Sequence, residues 1–242
     1  MLHTYKSPDE VSIALAEWVT QAIESVLQKQ DRFTWVVTGG NSPKQLYELL
    51  ASPPYRDRIN WSKLHIFWGD ERAVPYTDSR NNAKMTFEHL LNKVPVLRDQ
   101  VHIMNTTLSP EDSAKAYEAI LHRYFGNEGP TFDLVLNGMG DDGHTLSLFP
   151  HTPVINEQKA WVTAFYLDAQ QMHRITLTAP VVNRAQNVAF LTFGENKAKA
   201  LYEVIRGARN IDLYPSQTIQ PVNGHLHWFV DEAAAGLVKK AG

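Results

Sequence analysis

The stretch FDLVLNGMGDDGHTLSLFP, Phe132 to Pro150, changes character at Asn137. Phe132 to Asn137 is a short run rich in Phe, Leu and Val, the pattern of a strand buried on both faces. Glycines and charged residues follow at once. The same order recurs along the chain: FTWVVT (Phe33 to Thr38) runs into Gly39-Gly40, and LHIFW (Leu64 to Trp68) into Gly69-Asp70-Glu71-Arg72. Asn187 to Phe193 likewise runs into Gly194-Glu195-Asn196-Lys197. Helical patterns lie between these strands. Ser7-Pro8-Asp9-Glu10 predicts a helix start, with Ser7 as N-cap, Pro8 at the first position and Glu10 closing a capping box. Val11, Leu15, Trp18, Val19, Ala22, Ile23 and Val26 then recur at helical spacing.

Further helices are predicted from about Pro43 to Ala51, Asn81 to Asn92, Ser109 to Tyr124, Asn196 to Ile205 and Asp231 to Lys240. Further strands are predicted at Trp161 to Leu167, Arg174 to Thr178 and Leu226 to Val230. Alternating strands and helices predict an α/β fold: a mostly parallel, Rossmann-like sheet with helices on both faces. A small antiparallel addition is expected around residues 160–180. With no long linker and no internal repeat, residues 1–242 read as one domain.

Composition narrows the function. The formal net charge is −3 and the pI about 6.4, so no basic excess exists to coat a nucleic acid or an anionic membrane. There is no cysteine, which removes disulfides, thiolate metal sites and cysteine nucleophiles. The start, MLHTYKSPDE, lacks the pattern of a signal peptide, and no apolar run approaches the roughly 20 residues of a membrane span. The expectation is a cytoplasmic protein with a small-molecule partner, a monomer or a small homo-oligomer.

In open α/β sheets ligands bind outside the carboxyl ends of the strands, so the four glycine-rich or charged clusters are expected to share one crevice. Any one of them could be an ordinary turn, but turns need only Gly, Asn or Pro, whereas Asp, Glu, Arg, His and Lys recur here. In TGGNSP (Thr38 to Pro43) the glycines, the Ser42 hydroxyl and a helix start suit a phosphate; a plain turn is the alternative. Gly138, Gly140 and Gly143 spell a G-x-G-x-x-G, with Asp168 placed as a ribose acid. The dinucleotide reading fails because Pro150 and Pro153 interrupt the helix it needs, and Asp141 and Asp142 would face a pyrophosphate. His144 is either a general base held by a neighbouring carboxylate or a structural loop residue. Asp141, Asp142, His144 and His151 lack any metal-ligand spacing such as H-E-x-x-H. His225 and His227 share one strand face and read as sheet residues.

TGGNSP, WGDERAVP followed by SRNN, GMGDDGHTLSLFP, RITLT, GENKAKAL and WFVDEAAA, in this order between residues 38 and 235, resemble the 6-phosphogluconolactonases of the bacterial and eukaryotic type. The resemblance implies hydrolysis of 6-phospho-D-glucono-1,5-lactone in the oxidative pentose phosphate pathway, without cofactor or metal. It implies that His144 is the general base and that Asp142 orients it. Arg174, opening RITLT, and Lys197, opening the helix after Gly194, would bind the 6-phosphate with Gly40 and Ser42. Arg72 would sit nearby, while Asp70 and Asn82 would line the sugar. The chain departs from the family pattern at Thr38 and Asn41, which bears on the phosphate loop, and at Leu146, where Ala is usual and the pocket would tighten. The related glucosamine-6-phosphate deaminases carry Asp-Glu-Tyr and H-I-A-F-N-E-P where this chain has Asp70-Glu71-Arg72 and His144 to Pro150. A deaminase or isomerase is thus the nearest rival. A sugar-phosphate sensor without activity would keep Arg174 and Lys197 but lose the Asp142–His144 pair; a nucleotide-dependent oxidoreductase is the weakest alternative.

Overall fold

A computed structural model describes residues 1–240. In chain order the elements are β1 (Leu2–Tyr5), α1 (Pro8–Leu27), β2 (Phe33–Val37), α2 (Lys44–Leu50), α3 (Tyr55–Arg58), β3 (Leu64–Trp68) and β4 (Asp70–Arg72). Then come α4 (Asn82–Thr86), β5 (Val101–His102), α5 (Pro110–Phe125), β6 (Leu134–Gly138), β7 (Val162–Leu167) and β8 (Met172–Leu177). The chain continues through α6 (Ala179–Val182), β9 (Asn187–Thr192), α7 (Ala198–Ile205), β10 (His225–Asp231) and α8 (Glu232–Lys240).

The main sheet has seven parallel strands in the order β1-β10-β9-β6-β2-β3-β5. Alternation along each strand sends side chains to opposite faces. Phe33, Trp35 and Val37 of β2, with Leu134 and Leu136 of β6, pack on one face beneath α1 and α2. Val36, Val135, Val188 and Phe190 pack on the other, beneath α5, α7 and α8. All nine of these side chains are fully buried or nearly so, and burial of a Val, Leu or Phe side chain contributes about 1.5–3 kcal/mol each.

The expected helix starts form, with one shift. Ser7 Oγ accepts the Glu10 N–H at 3.3 Å, but the Glu10 carboxylate accepts from Lys6 N–H, one residue earlier than a capping box requires. The antiparallel addition is real and larger than expected. β7 and β8 pair around residues 162–177, and β4 joins them to make a three-stranded sheet, β4-β8-β7. Gly69 to Arg72 is therefore not a strand-to-helix turn: its last three residues are a strand. β1 and β5 were not legible either, because runs of four and two residues are too short to display a period. Arg174 lies third in β8 rather than at its start.

The sheet edge at β1 carries a histidine pair. His3 Nε2 and His227 Nδ1 lie 3.1 Å apart, so one proton is shared between two neutral rings. His227 packs against Trp18 of α1 and Phe229, as a sheet residue should. Burial, then the charges of His3, the N-terminal ammonium and His225, hold His227 down at about 4. Burial and the same ammonium lower His3. Below the ordinary histidine value the unfolded chain binds more protons than the folded one, so stability falls as pH drops from about 6.5 to about 4. The urea midpoint should fall across this window, and less steeply in His227→Gln. Equal slopes for variant and wild type would show that other groups set the acid sensitivity.

Candidate active site

The strand order reverses between β6 and β2: after β1, which lies at the far edge, the chain adds β3 and β5 outward from β2, then β9 and β10 outward from β6. Such a switch point opens a crevice at the carboxyl ends of the strands. The four clusters meet there. Gly40, Ser42, Asp70, Arg72, Asn82, His144, Arg174 and Lys197 line one cleft, together with Leu146 and Met139. Asp142 stands just behind His144. Among the described residues no three His, Asp or Glu side chains gather as a metal site would need.

The loop after β6 is built to present His144. Its Nδ1 lies 2.6 Å from Asp142 Oδ1, and the same oxygen accepts the His144 backbone N–H at 3.0 Å. A carboxylate facing Nδ1 makes that nitrogen the donor and leaves Nε2 with the lone pair, a tautomer assigned from the hydrogen bond. Burial pushes the Asp142 carboxyl up, but the hydrogen bond and attraction from His144 outweigh it and hold the carboxyl below its usual value. The imidazole stacks on Phe149, centroids 4.1 Å apart.

Gly140 permits this packing, because a Cβ there would overlap the His144 ring and the Asp142 carboxylate. Gly143 takes φ +78°, and its carbonyl is held by the Ser216 N–H and hydroxyl at 2.9 and 2.8 Å. Leu146 also has positive φ, +54°, which costs about 1 kcal/mol in a residue with a Cβ. The bonds on either side hold it there: Thr145 Oγ1 to the Gly138 carbonyl at 2.8 Å, and the Ser147 N–H to Thr176 Oγ1 at 3.1 Å.

Positive charge lines another wall. Arg72 and Arg174 are direct partners across the antiparallel β4–β8 pair. Like charges in that position repel, so this pairing favours an anion between or beside them. Arg174 is 2 % exposed, and its guanidinium Nε and Nη1 have no hydrogen-bond partner among the described residues. Its Nη2 donates to Gln170 Oε1 at 2.9 Å, and the group lies over the Phe149 ring. Burial pulls its pKa down, Asp70 opposes this and Arg72 reinforces it; a guanidinium so placed remains a cation. Lys197 comes from the turn after β9, just before α7, and Gly40, at φ +87°, takes a backbone that favours glycine.

Asp70 and Asn82 line the cleft, and both are also framework. Asn82 Nδ2 donates to the Asp70 carbonyl and Oδ1 at 3.0 and 3.1 Å. Glu71 faces away from Asp70, as strand alternation requires. Its carboxylate accepts the N–H groups of Arg72, Asn82 and Ala83 at 2.8, 2.7 and 2.8 Å. Two of these are the first N–H groups of α4; the next, from Lys84, goes to Asn81 Oδ1. Burial pushes Glu71 up to about 7 against the pull of these three donors. A carboxylate 1 % exposed and fully occupied is a clamp on α4, not a base for the cleft.

Tyr47 and Tyr117 were also illegible as site residues. Each hydroxyl accepts one strand-end N–H and donates to the same residue's carbonyl, at Thr38 and Trp68 respectively. They fix the points where β2 and β3 give way to the loops of the cleft. In the sequence both look like ordinary apolar-face aromatics of a helix.

Family comparison agrees with the geometry. The model of the glucosamine-6-phosphate isomerases/6-phosphogluconolactonase family matches residues 6–228. The chain belongs to this family. A 6-phosphogluconolactonase of Synechocystis sp. is 40% identical over 220 residues, covering 89% of each chain. Probable 6-phosphogluconolactonase 2 of Oryza sativa subsp. indica is 35% identical over 249 residues, 97% of this chain and 88% of that one. The solved 6-phosphogluconolactonase of Trypanosoma brucei superposes with TM-score 0.86 at 25% identity, covering 98% of each chain. The seven-stranded sheet, the small antiparallel sheet and the cleft between them are thus the family's α/β fold carried by this sequence.

Proposed function

We propose that this protein is a 6-phosphogluconolactonase, hydrolysing 6-phospho-D-glucono-1,5-lactone to 6-phospho-D-gluconate in the oxidative pentose phosphate pathway. The observation that carries the reading is a carboxylate-held histidine sharing a small cleft with two cross-strand arginines and a lysine. One end suits water activation and the other suits a phosphate dianion. The similarity to proteins named 6-phosphogluconolactonase supports the same substrate.

In this reading His144 Nε2 takes a proton from water as its oxygen attacks C1 of the lactone. The carbonyl oxygen becomes an oxyanion, for which Arg72 or a backbone N–H of the Gly138–Gly143 loop is the candidate donor. Collapse breaks the bond from C1 to the ring oxygen, and the proton held by His144 passes to that oxygen. Asp142 keeps the ring oriented and stabilises its cationic form. Arg174, Lys197, Gly40 and Ser42 hold the 6-phosphate, while Asp70 and Asn82 face the sugar. A remote phosphate gives binding energy that fixes the lactone over the base. Both sheets contribute to the cleft, so the chain acts as one α/β unit; the proposed location is the cytoplasm.

The test is hydrolysis of freshly made lactone by purified protein, measured against the uncatalysed rate with and without a chelator. Activity should be present and unaffected by chelation. Loss on chelation with recovery on adding a divalent ion would overturn the metal-free mechanism. Ammonia release from glucosamine 6-phosphate at a comparable rate would favour the deaminase reading instead.

A further inference from the structure

Arg174 poses a question of electrostatics. Its guanidinium is buried beside the Asp70 carboxylate, yet the nearest approach, Nη1 to Oδ2, is 3.6 Å, and no hydrogen bond joins them. A buried carboxylate and a buried guanidinium would ordinarily close to a hydrogen-bonded pair. Here each carboxylate oxygen already accepts a hydrogen bond, and the two together fix how the carboxylate is turned. Oδ1 accepts from Asn82 Nδ2 at 3.1 Å, and Oδ2 accepts from Ser147 Oγ at 2.6 Å. Ser147 is itself immovable: it is fully buried, and its N–H donates to Thr176 Oγ1, the β8 residue paired with Asp70.

We infer that Ser147 is a positioning residue for anion recognition: its hydroxyl anchors Asp70 Oδ2 at 3.6 Å from Arg174 Nη1, and so keeps Arg174 Nε and Nη1 available to the substrate's phosphate. This rests on the reading of Arg174 as a phosphate ligand given above. Asp70 then serves two ends. It offsets part of the charge of the Arg72–Arg174 pair, which steadies the cleft before substrate arrives, and it does so without consuming the donors that substrate needs. The Ser147 hydroxyl, the shortest of its contacts, holds that balance. Without it the Asp70 carboxylate is free to turn, and the pair can close by a rotamer shift of under about 1 Å toward ordinary hydrogen-bond distance.

The experiment compares Ser147→Ala, Asp70→Asn and their double variant on the phosphorylated and unphosphorylated lactones. Ser147→Ala should raise KM for the phosphorylated lactone about tenfold, the lower end of a charge-assisted hydrogen bond. Its kcat, and its kcat/KM on the unphosphorylated lactone, should stay within about twofold of wild type. Inorganic phosphate should inhibit the variant correspondingly less well. In the Asp70→Asn background Ser147→Ala should add no further loss, because a neutral amide cannot capture Arg174. Ser147→Cys, nearly isosteric with a weak donor, should fall between Ser and Ala, and gives the readout if Ser147→Ala does not fold. An unchanged KM in a folded Ser147→Ala or Ser147→Cys protein overturns the inference. So does an equal loss of kcat on both lactones, which would place Ser147 in the His144 loop's framework alone. The underlying phosphate reading fails by a different result, an Arg174→Ala protein that keeps the wild-type preference for the phosphorylated lactone.

Discussion

His144→Ala should lower kcat on the phosphorylated lactone by about 10²–10⁴-fold, the usual contribution of general acid–base catalysis. KM should change far less, since the arginine and lysine wall that holds the phosphate is built from other strands. This split is the signature of a group acting on the reacting atoms rather than on ground-state binding. Asp142→Asn should cost less. An amide can still contact Nδ1 but no longer stabilises a cationic ring, and presenting its N–H₂ there would favour the wrong tautomer. The measurement is steady-state hydrolysis corrected for the lactone's own reaction with water, on proteins shown to be folded. A folded His144→Ala with kcat within about threefold of wild type would leave His144 a structural residue. Glu71 could not then replace it, because its carboxylate is buried and spent on three backbone N–H groups.

Arg174→Ala should reduce discrimination between phosphorylated and unphosphorylated gluconolactone by about ten- to a hundredfold, from a charge-assisted hydrogen-bond contribution of roughly 1.5–3 kcal/mol. Lys197→Ala should act in the same direction and sit nearer the lower figure. A lysine contributes a point charge, whereas the arginine fork can engage two oxygens at once. Loss of Arg174 also leaves the Asp70 carboxylate beside Arg72 alone, so part of its effect comes through the altered balance of the cleft. The readout is the ratio of kcat/KM for the two lactones. If both variants keep the wild-type ratio, the phosphate is bound elsewhere.

The parallel strands of the main sheet were legible wherever a short run of apolar or β-branched residues led into glycine, as at Phe33–Val37 and residues 134–136. Such runs suit strands buried on both faces, and the helical patterns between them point to a helix-covered parallel sheet. The helix starts at Ser7 and Ser109 were legible because capping is local chemistry: Ser109 Oγ accepts the Asp112 N–H at 3.1 Å, as its position foretells. The convergence of the four clusters followed from a topological rule, since strand ends in an open sheet share one edge. That rule reached the clusters only; Asn82 and Arg174 lie outside them and were named by the family resemblance.

Whatever depends on pairing between distant segments was hidden. Asp70-Glu71-Arg72 is three residues long and carries no apolar pattern, so nothing in it announces a strand; its pairing with β8 makes it one and sets Arg72 opposite Arg174. That register in turn puts Asp70 and Arg72 toward the cleft and turns Glu71 onto the start of α4. Ser147 reads as a small polar residue in a loop, and only the approach of residues 77 positions away gives it a carboxylate to occupy. By itself the sequence determined the longer elements, that they stack as an α/β sheet, and which residue types gather at its carboxyl edge, because these follow from local propensity and period. The tertiary structure alone decided which of those side chains are paired and which are kept unpaired for a ligand, because hydrogen bonds of buried charges are settled by register and burial, which no local pattern encodes.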